Sequence, residues 1–445
     1  EIARKELGRL GWITVSLATF FMATVAVSGM GMGLISALEH NPWATFTVMM
    51  TIPISLFMYA YERWVRRKTL EASVIGLAIL MALFFAAGAL QHTWLLRLFD
   101  LDKEALIILI AVYASIASIL PIQILLTPRD HLSGLIKVAF VLLLIAAIFL
   151  VHPTLQMPPV TEYSFKGGPV ISGALWPFLF ITITCGAISG WHSLCCSGVT
   201  PRLLSKENDI RVIAYGGWLL ESAIAVVALC LACILAPGDY FAINASPKVY
   251  AMLGMEPVEL KKLSALIGME LQGRTGGVTS LSVSIAKLLS NVFGSDATIP
   301  YWYQLAVVYI GIFIMPIMDH GTRMGRYFLQ DALGIKPTKA YKWWFSAAIL
   351  TVIMASAWSY LLYTGTIGVI WPMFGMCNQL MACIGLLVAT SYVLKHQKPI
   401  YGLVTFWPIL VFASASIHGG ILKVAYELLP AGTTPAYVQS SIFIF

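Results

Sequence analysis

The stretch LWPFLFITITCGAISGWHSLCCSGVTPR, residues 175–202, decides how the rest of the chain is interpreted. It begins as an apolar run typical of a membrane-spanning helix and is then interrupted by glycines and polar side chains. These are Gly186, Ser189, Gly190, His192, Ser193, Ser197, Gly198 and Thr200, and Pro201 follows them. Lipid supplies no hydrogen-bond partners, so such a segment indicates backbone that is buried in protein or lines a wet cavity.

A helix interrupted in this way predicts a transporter binding site. The alternative is a glycine-rich helix that packs closely on its neighbours, because small residues favour that contact.

The composition indicates an integral membrane protein. The 445 residues are 59% hydrophobic and 11% charged, whereas a soluble domain carries roughly 25% charged residues. The mean hydropathy is +0.83. The formal net charge of +7 comes from basic residues in short connections, with no basic patch interleaved with aromatics, so we expect no nucleic-acid partner. The seven cysteines lie in or beside apolar segments, which favours packing over disulfides.

Apolar runs of spanning length predict an all-α polytopic fold with about eleven spans. The runs lie at 10–37, 43–61, 72–90, 105–126, 133–151, 174–198, 212–236, 301–321, 344–363, 369–394 and 401–420. Lys and Arg concentrate in alternate connections, which predicts a cytoplasmic N-terminus and an external C-terminus. We expect one transmembrane domain over 1–445.

The long connection 237–300 is predicted to lie outside the cell. A structureless connection of this length is uncommon, so we expect short or re-entrant helices within it. Its second half, 276–293, is too polar for a confident span and predicts a helix lying against the bundle or dipping into it.

Glu221 lies about ten residues into an apolar run. A charged side chain at the bilayer centre costs roughly 2.5–3.5 kcal/mol on insertion scales, so such residues are usually functional. We interpret Glu221 as a proton carrier. The alternative is a buried carboxyl group that bonds a neighbouring helix and never titrates.

Two further polar features lie at or within spans. Asp319 and Arg323 are spaced to form an ion pair, either as a fixed helix contact or as a gate that opens during transport. Asn378 and Gln379 must hydrogen-bond something within their span, either another helix or a substrate.

A metal site is not favoured by the sequence. His192, Cys195 and Cys196 are suitable zinc ligands, but a structural site needs a fourth ligand that no neighbouring residue supplies. Cys230 and Cys233 lie one helical turn apart on an apolar face. We therefore predict no metal and no cofactor.

Several stretches resemble the carbon starvation (CstA) family of bacterial inner-membrane transporters. Besides the stretch at 175–202 they are AYGGWLLES (214–222), LQGRTGGVTSLSVSIAK (271–287), MDHGTRMGRYFLQDALG (318–334) and IWPMFGMCNQLMA (370–382). The resemblance implies uptake of peptides or pyruvate under nutrient limitation. It also implies an inverted-repeat bundle with discontinuous helices, related to the amino acid–polyamine–organocation superfamily.

The resemblance places the family's Gly-rich His segment on Gly186, Ser189, Gly190, His192, Ser197, Gly198, Thr200 and Pro201, and its intramembrane glutamate on Glu221. The chain departs from the family pattern at 198–202, which reads Gly-Val-Thr-Pro-Arg, and at His320. Family members also carry a Gly/His-rich segment upstream of Glu1, so we expect the family's N-terminal helices to precede this chain.

Together these features predict a secondary active transporter that imports a peptide or pyruvate, coupled to protons. Backbone amides at the break would meet the substrate carboxylate, and Glu221 with His192 would carry the proton. The alternatives are a membrane-embedded enzyme using His192 with Cys195 and Cys196, and a channel, although no periodic polar lining is visible.

Overall fold

The computed structural model describes residues 2–66, 68–183, 188–193, 204–335, 341–432 and 434–444, and within them it contains helices and no strands. Twelve longer helices are numbered here in chain order. They are α1 (Ile2–Leu38), α2 (Pro42–Trp64), α3 (Thr69–Ala89), α4 (Lys103–Ile119), α5 (Ile122–Val151), α6 (Asp209–Ile234), α7 (Val278–Phe293), α8 (Ile299–Ala332), α9 (Tyr341–Thr364), α10 (Ile367–His396), α11 (Gly402–Lys423) and α12 (Thr434–Ile444).

Short helices connect these elements. They are Trp94–Arg97, Tyr163–Lys166, Leu175–Leu179, Phe180–Ile183, Pro237–Asn244, Pro247–Leu253, Leu260–Ile267, Asp296–Thr298, Pro399–Tyr401, Val424–Leu428 and Leu429–Ala431. Leu175–Leu179 and Val424–Leu428 are single turns of π-helix.

Nine helices in the described part of the chain are long and apolar enough to cross a membrane. The all-α, multi-pass membrane fold expected from the sequence is therefore confirmed. Two of the expected eleven runs have no match among the nine: α4 has 17 residues, and the run at 174–198 is only partly described. The span count and the inverted repeat stay predictions.

The chain forms two compact units. Unit 1 consists of Glu1–Gly29, Val160–Ala223 and Gly321–Phe445, and unit 2 consists of Met30–Pro159 and Ile224–His320. Each unit is described by itself below.

In unit 2, α2 packs against α3 and α5, and α7 packs against α5. Trp43 anchors the contact of α2 with α3, because its indole Nε1 donates to the carbonyl of Phe84 over 2.9 Å. Gly88 lies directly against the Trp43 ring, where a Cβ atom would clash with it. This glycine lets the helices approach closely, as is common between membrane helices.

The connection 237–300 belongs to unit 2 and contains the helices Pro237–Asn244, Pro247–Leu253, Leu260–Ile267 and α7. Asp239 organises it. Its carboxylate, 1% exposed, accepts hydrogen bonds from the backbone N–H groups of Val258, Glu259 and Leu260 at 2.8–3.1 Å. These donors precede or begin the helix Leu260–Ile267, whose first N–H groups have no partner within the helix. Asp239 therefore fixes where that helix starts.

In unit 1, α10 and α11 pack along each other over most of their length. The hydroxyls of Thr390 and Thr405 hydrogen-bond across this contact over 2.7 Å. The helix Phe180–Ile183 lies against α10, where a Cβ on Gly375 would clash with the carbonyl oxygen of Ile181. Helix α10 therefore lies directly beside the helix Phe180–Ile183 of the stretch 175–202.

Replacing Asp239 by Ala should destabilise the protein by about 1–3 kcal/mol, because it leaves buried backbone donors without an acceptor. Thermal unfolding of the detergent-solubilised protein measures this. Asp102→Ala is the matched control, since Asp102 also caps a helix, α4, but from an exposed position. Equal shifts in Tm for the two variants would contradict the assigned role of Asp239.

Candidate functional site

The stretch at 175–202 changes from helix to loop and back within the residues that the structure describes. The helix Phe180–Ile183 comes first, Ile188 and Ser189 are not helical, and residues 190–193 form a helical turn. Ser189 begins that turn, because its carbonyl accepts from the N–H of Ser193 over 3.2 Å. The predicted site residues Gly186, Ser197, Gly198 and Thr200, and the flanking residues 184–187 and 194–203, lie outside the described part of the chain.

Two adjacent amides of α10 hold the two sides of this interruption. On one side, Gln379 Nε2 donates to the carbonyl of Phe180 over 2.9 Å. On the other, Asn378 Oδ1 accepts from the backbone N–H of Trp191 at 3.0 Å and from Ser189 Oγ at 3.2 Å. Side chains thus bond backbone groups next to the interruption, as membrane burial requires.

The interhelical role expected for both amides is therefore present in the structure. Gln379 Oε1 also accepts from Ser416 of α11 over 2.6 Å. Asn378 is 3% exposed, and its Nδ2 has no hydrogen-bond partner among the described residues. A buried donor without a partner costs about 1–3 kcal/mol. Among the described residues, the Nδ2 group of Asn378 is thus left to donate to a water molecule or a ligand.

Glycines allow the turn 190–193 to lie directly on α10. A Cβ on Gly190 would clash with Met381 and with the backbone of Asn378 and Ala382. From the other side, a Cβ on Gly385 would come within 3.0 Å of the Ser193 hydroxyl. The turn and α10 are therefore closer than any larger side chain permits.

The structure brings His192 and Glu221 together within unit 1. His192 Nε2 lies 3.7 Å from Glu221 Oε2, and the side chains are 53% and 41% exposed. At this distance a bridging water or a small rotation completes a hydrogen bond. An imidazole beside a carboxylate is an arrangement that can pass a proton between the two groups.

Asp319 pairs with an arginine of another helix in unit 2. Its Oδ2 accepts from Arg129 Nη1 of α5 over 2.7 Å and from the Tyr113 hydroxyl of α4 over 2.6 Å. Arg129 also donates to Tyr113. Arg129 and Asp319 are each 1% exposed. The pair of Asp319 with Arg323 that the sequence spacing indicates stays a prediction.

This buried cluster is incompletely hydrogen-bonded. Arg129 Nε and Nη2 and Asp319 Oδ1 have no partner among the described residues. Nearby, His320 Nε2 lies 3.4 Å from Asp130 Oδ2. Sequence analysis missed Arg129 because it falls between two apolar runs, where basic residues are usually solvated. In the structure it lies inside α5, one residue after Pro128.

Lys423 is a second buried charge that the sequence did not single out. Its side chain is 1% exposed, and Nζ pairs with Glu427 one turn further along. Ser172 donates to Glu427 as well. Lys423 follows the apolar run 401–420, and its burial results from packing that the local sequence does not report.

The described residues contain no group of three or more His, Cys, Asp or Glu side chains that could hold a metal ion. Cys195 and Cys196, considered above with His192, lie outside the described part of the chain.

Comparison with known proteins gives a consistent result. The family described as Carbon starvation protein CstA matches residues 1–418. Peptide transporter CstA of Bacillus subtilis (strain 168) is 40% identical over 397 residues, which cover 89% of this chain and 66% of the relative. Peptide transporter CstA of Escherichia coli (strain K12) is 35% identical over 456 residues, covering 95% and 64%.

A relative that is named for a different substrate is also similar. Pyruvate/proton symporter BtsT of Escherichia coli (strain K12) is 34% identical over 458 residues, covering 92% of this chain and 63% of the relative. The chain thus spans slightly less than two thirds of the length of these relatives. No solved structure matches the chain.

Replacing Gly190 by Ala should displace the turn 190–193 from α10, because the added methyl group has no space. We expect lower thermal stability and loss of transport. Gly217→Ala is the matched control, since a Cβ there meets nothing within 4 Å. If Gly190→Ala behaved like Gly217→Ala in both assays, the close contact of the turn with α10 would be refuted.

Removing Asp319 alone should destabilise unit 2, because it leaves Arg129 buried without its carboxylate. The expected loss is about 3–5 kcal/mol for Asp319→Ala, and the apolar pair Arg129→Met with Asp319→Leu should restore much of it. Chemical unfolding in detergent measures both. The exposed pair Arg66–Glu71 is the control, and Glu71→Ala should change little. A harmless Asp319→Ala would show that the buried pair is not needed for folding.

Proposed function

Since the chain belongs to the carbon starvation CstA family, we propose that it is a proton-coupled secondary transporter that imports a small carboxylate-bearing nutrient, a peptide or pyruvate. The observation that carries the proposal is the His192–Glu221 pair, which lies in unit 1 beside the interrupted helix. The names of the relatives support transport as the activity and give these two substrate classes.

The interrupted helix supplies the substrate contacts in this proposal. Of the backbone donors near it, the N–H of Trp191 is already bonded to Asn378. The free donor at this place is Asn378 Nδ2, which is buried and without a partner among the described residues. An amide N–H that points at a carboxylate forms a charge-assisted hydrogen bond, which is shorter and stronger than a neutral one. Ser189 and Ser193 add hydroxyl groups on the same face.

Glu221 is the proton carrier in this proposal, and His192 passes the proton to or from it. Protonation makes the His192–Glu221 pair more positive by one charge. Binding of an anion offsets this charge, so the anion and the proton favour each other's binding. This is the physical basis of symport: each ligand binds more tightly when the other is present.

The buried Arg129–Asp319 pair is a gate of unit 2 in this proposal, and Arg323 stays the gate candidate that the sequence spacing indicates. The three polar atoms of Arg129 and Asp319 that have no partner among the described residues make the closed arrangement of this pair costly. Water entering the cluster satisfies them, so opening of the pair requires little net free energy.

The variant Glu221→Gln tests the proton carrier in proteoliposomes. Uptake driven by an imposed pH gradient should fall at least about tenfold, since the amide cannot release a proton, whereas gradient-independent exchange of substrate should persist. Glu207→Gln is the control, because Glu207 is an exposed carboxylate shortly before α6. Normal gradient-driven uptake by Glu221→Gln would remove Glu221 from the mechanism.

A further inference from the structure

A polar cavity of about 420 Å³ lies in unit 2. It is bounded by the end of α5 and the residues that follow, by the helix Leu260–Ile267 and by α7. Its volume falls in the range of small-molecule sites, about 300–1,000 Å³. The polar side chains that matter here are His152, Glu259, Lys262, Lys287, Asn291 and Asp296.

The walls of this cavity are held in place by hydrogen bonds that do not involve its charged groups. Buried Asp239 fixes the backbone of Glu259 and Leu260, and thereby the helix that carries Lys262. On the opposite wall, the N–H of Gln156 donates to the carbonyl of Cys233 over 2.6 Å. The cavity is therefore formed before any ligand enters, which lowers the entropic cost of binding.

The charges in the cavity form two separate and balanced pairs. Lys287 pairs with Glu259, and Lys262 pairs with Asp296 over 2.7 Å. The hydrogen bond to Asp296 raises the pKa of Lys262, which therefore stays protonated at neutral pH. With two ammonium groups and two carboxylates, the paired groups carry no net charge.

The Lys262–Asp296 pair is exposed, and the Lys287–Glu259 pair is partly exposed, with side-chain exposures of 23% and 47%. Ion pairs in contact with solvent contribute little free energy, so a ligand can exchange with them at small cost. A ligand with one carboxylate and one ammonium group replaces both members of a pair and leaves no charge alone. A monoanion would bind one lysine and leave the carboxylate partner of that lysine unpaired. The cavity therefore discriminates by the number and sign of ligand charges.

We propose that this cavity is a binding site for short zwitterionic peptides, at which the peptide carboxylate meets Lys287 or Lys262 and the peptide ammonium meets Glu259 or Asp296. The inference rests on the proposed transport function and adds to it a binding site in unit 2. The segment 237–300, which contributes most of the lining, is expected outside the cell.

Binding to the purified full chain in lipid nanodiscs tests the site by isothermal titration calorimetry. The first probe is dialanine, which carries both charges. N-acetyl-dialanine carries the negative charge only, and dialanine amide carries the positive charge only. Pyruvate carries a negative charge on a smaller molecule. Dialanine should bind at least about tenfold more tightly than each of the others, because only dialanine satisfies both members of a pair. Equal affinities for all four probes would overturn the proposal.

The double variant Lys287→Gln with Glu259→Gln removes one pair and keeps the net charge. This double variant should bind dialanine about tenfold more weakly, because one charge pair is lost. Its Tm should be nearly unchanged, because a partly exposed ion pair adds little stability. Lys248→Gln is the matched control, since Lys248 is an exposed lysine of the same segment that does not line the cavity. Unchanged dialanine affinity in the double variant would also overturn the proposal.

These experiments distinguish failure of the peptide site from failure of the transport proposal. If Glu221→Gln loses gradient-driven uptake but still binds dialanine, the defect lies in the proton carrier alone. Uptake of pyruvate by the wild-type chain without any binding of dialanine would refute the peptide site and leave the transport function standing.

Discussion

The structure depends on one constraint: a backbone donor or acceptor in apolar surroundings needs a hydrogen-bond partner. A continuous helix meets this requirement by itself, and an interrupted one does not. In this protein the adjacent side chains of Asn378 and Gln379 supply partners on the two sides of the interruption, to Trp191 and to Phe180. The two amides of α10 therefore stabilise the described residues on both sides of the interruption.

Buried charges in the protein follow the same constraint with two different outcomes. The carboxylate of Asp239 accepts hydrogen bonds from three backbone N–H groups, so it fixes one arrangement of its segment. The Arg129–Asp319 pair keeps three polar atoms without partners among the described residues. A fully bonded buried charge favours rigidity, whereas an incompletely bonded one is suited to a change of state, because hydration can replace what is missing.

The two units offer different chemistry to a ligand. In unit 1, the titratable pair His192–Glu221 lies beside an interruption held by amides, which suits proton movement. In unit 2, Lys262 and Lys287 pair with acidic partners at a cavity, and these paired groups carry no net charge. In the function proposed above, capture of the substrate and proton coupling are separate steps.

Sequence alone determined the all-helical membrane fold, because hydropathy is a local signal that lipid makes costly to ignore. The interruption near 186–201 and the roles of Glu221 and Asn378 stay predictions from glycine and isolated polar residues in apolar runs. Tertiary structure decided the partners. Asp319 pairs with Arg129 of another helix, and Lys423 is buried beside Glu427. The first pair joins residues far apart in the chain, and the burial of Lys423 depends on packing around it, so both are decided only once the helices have packed.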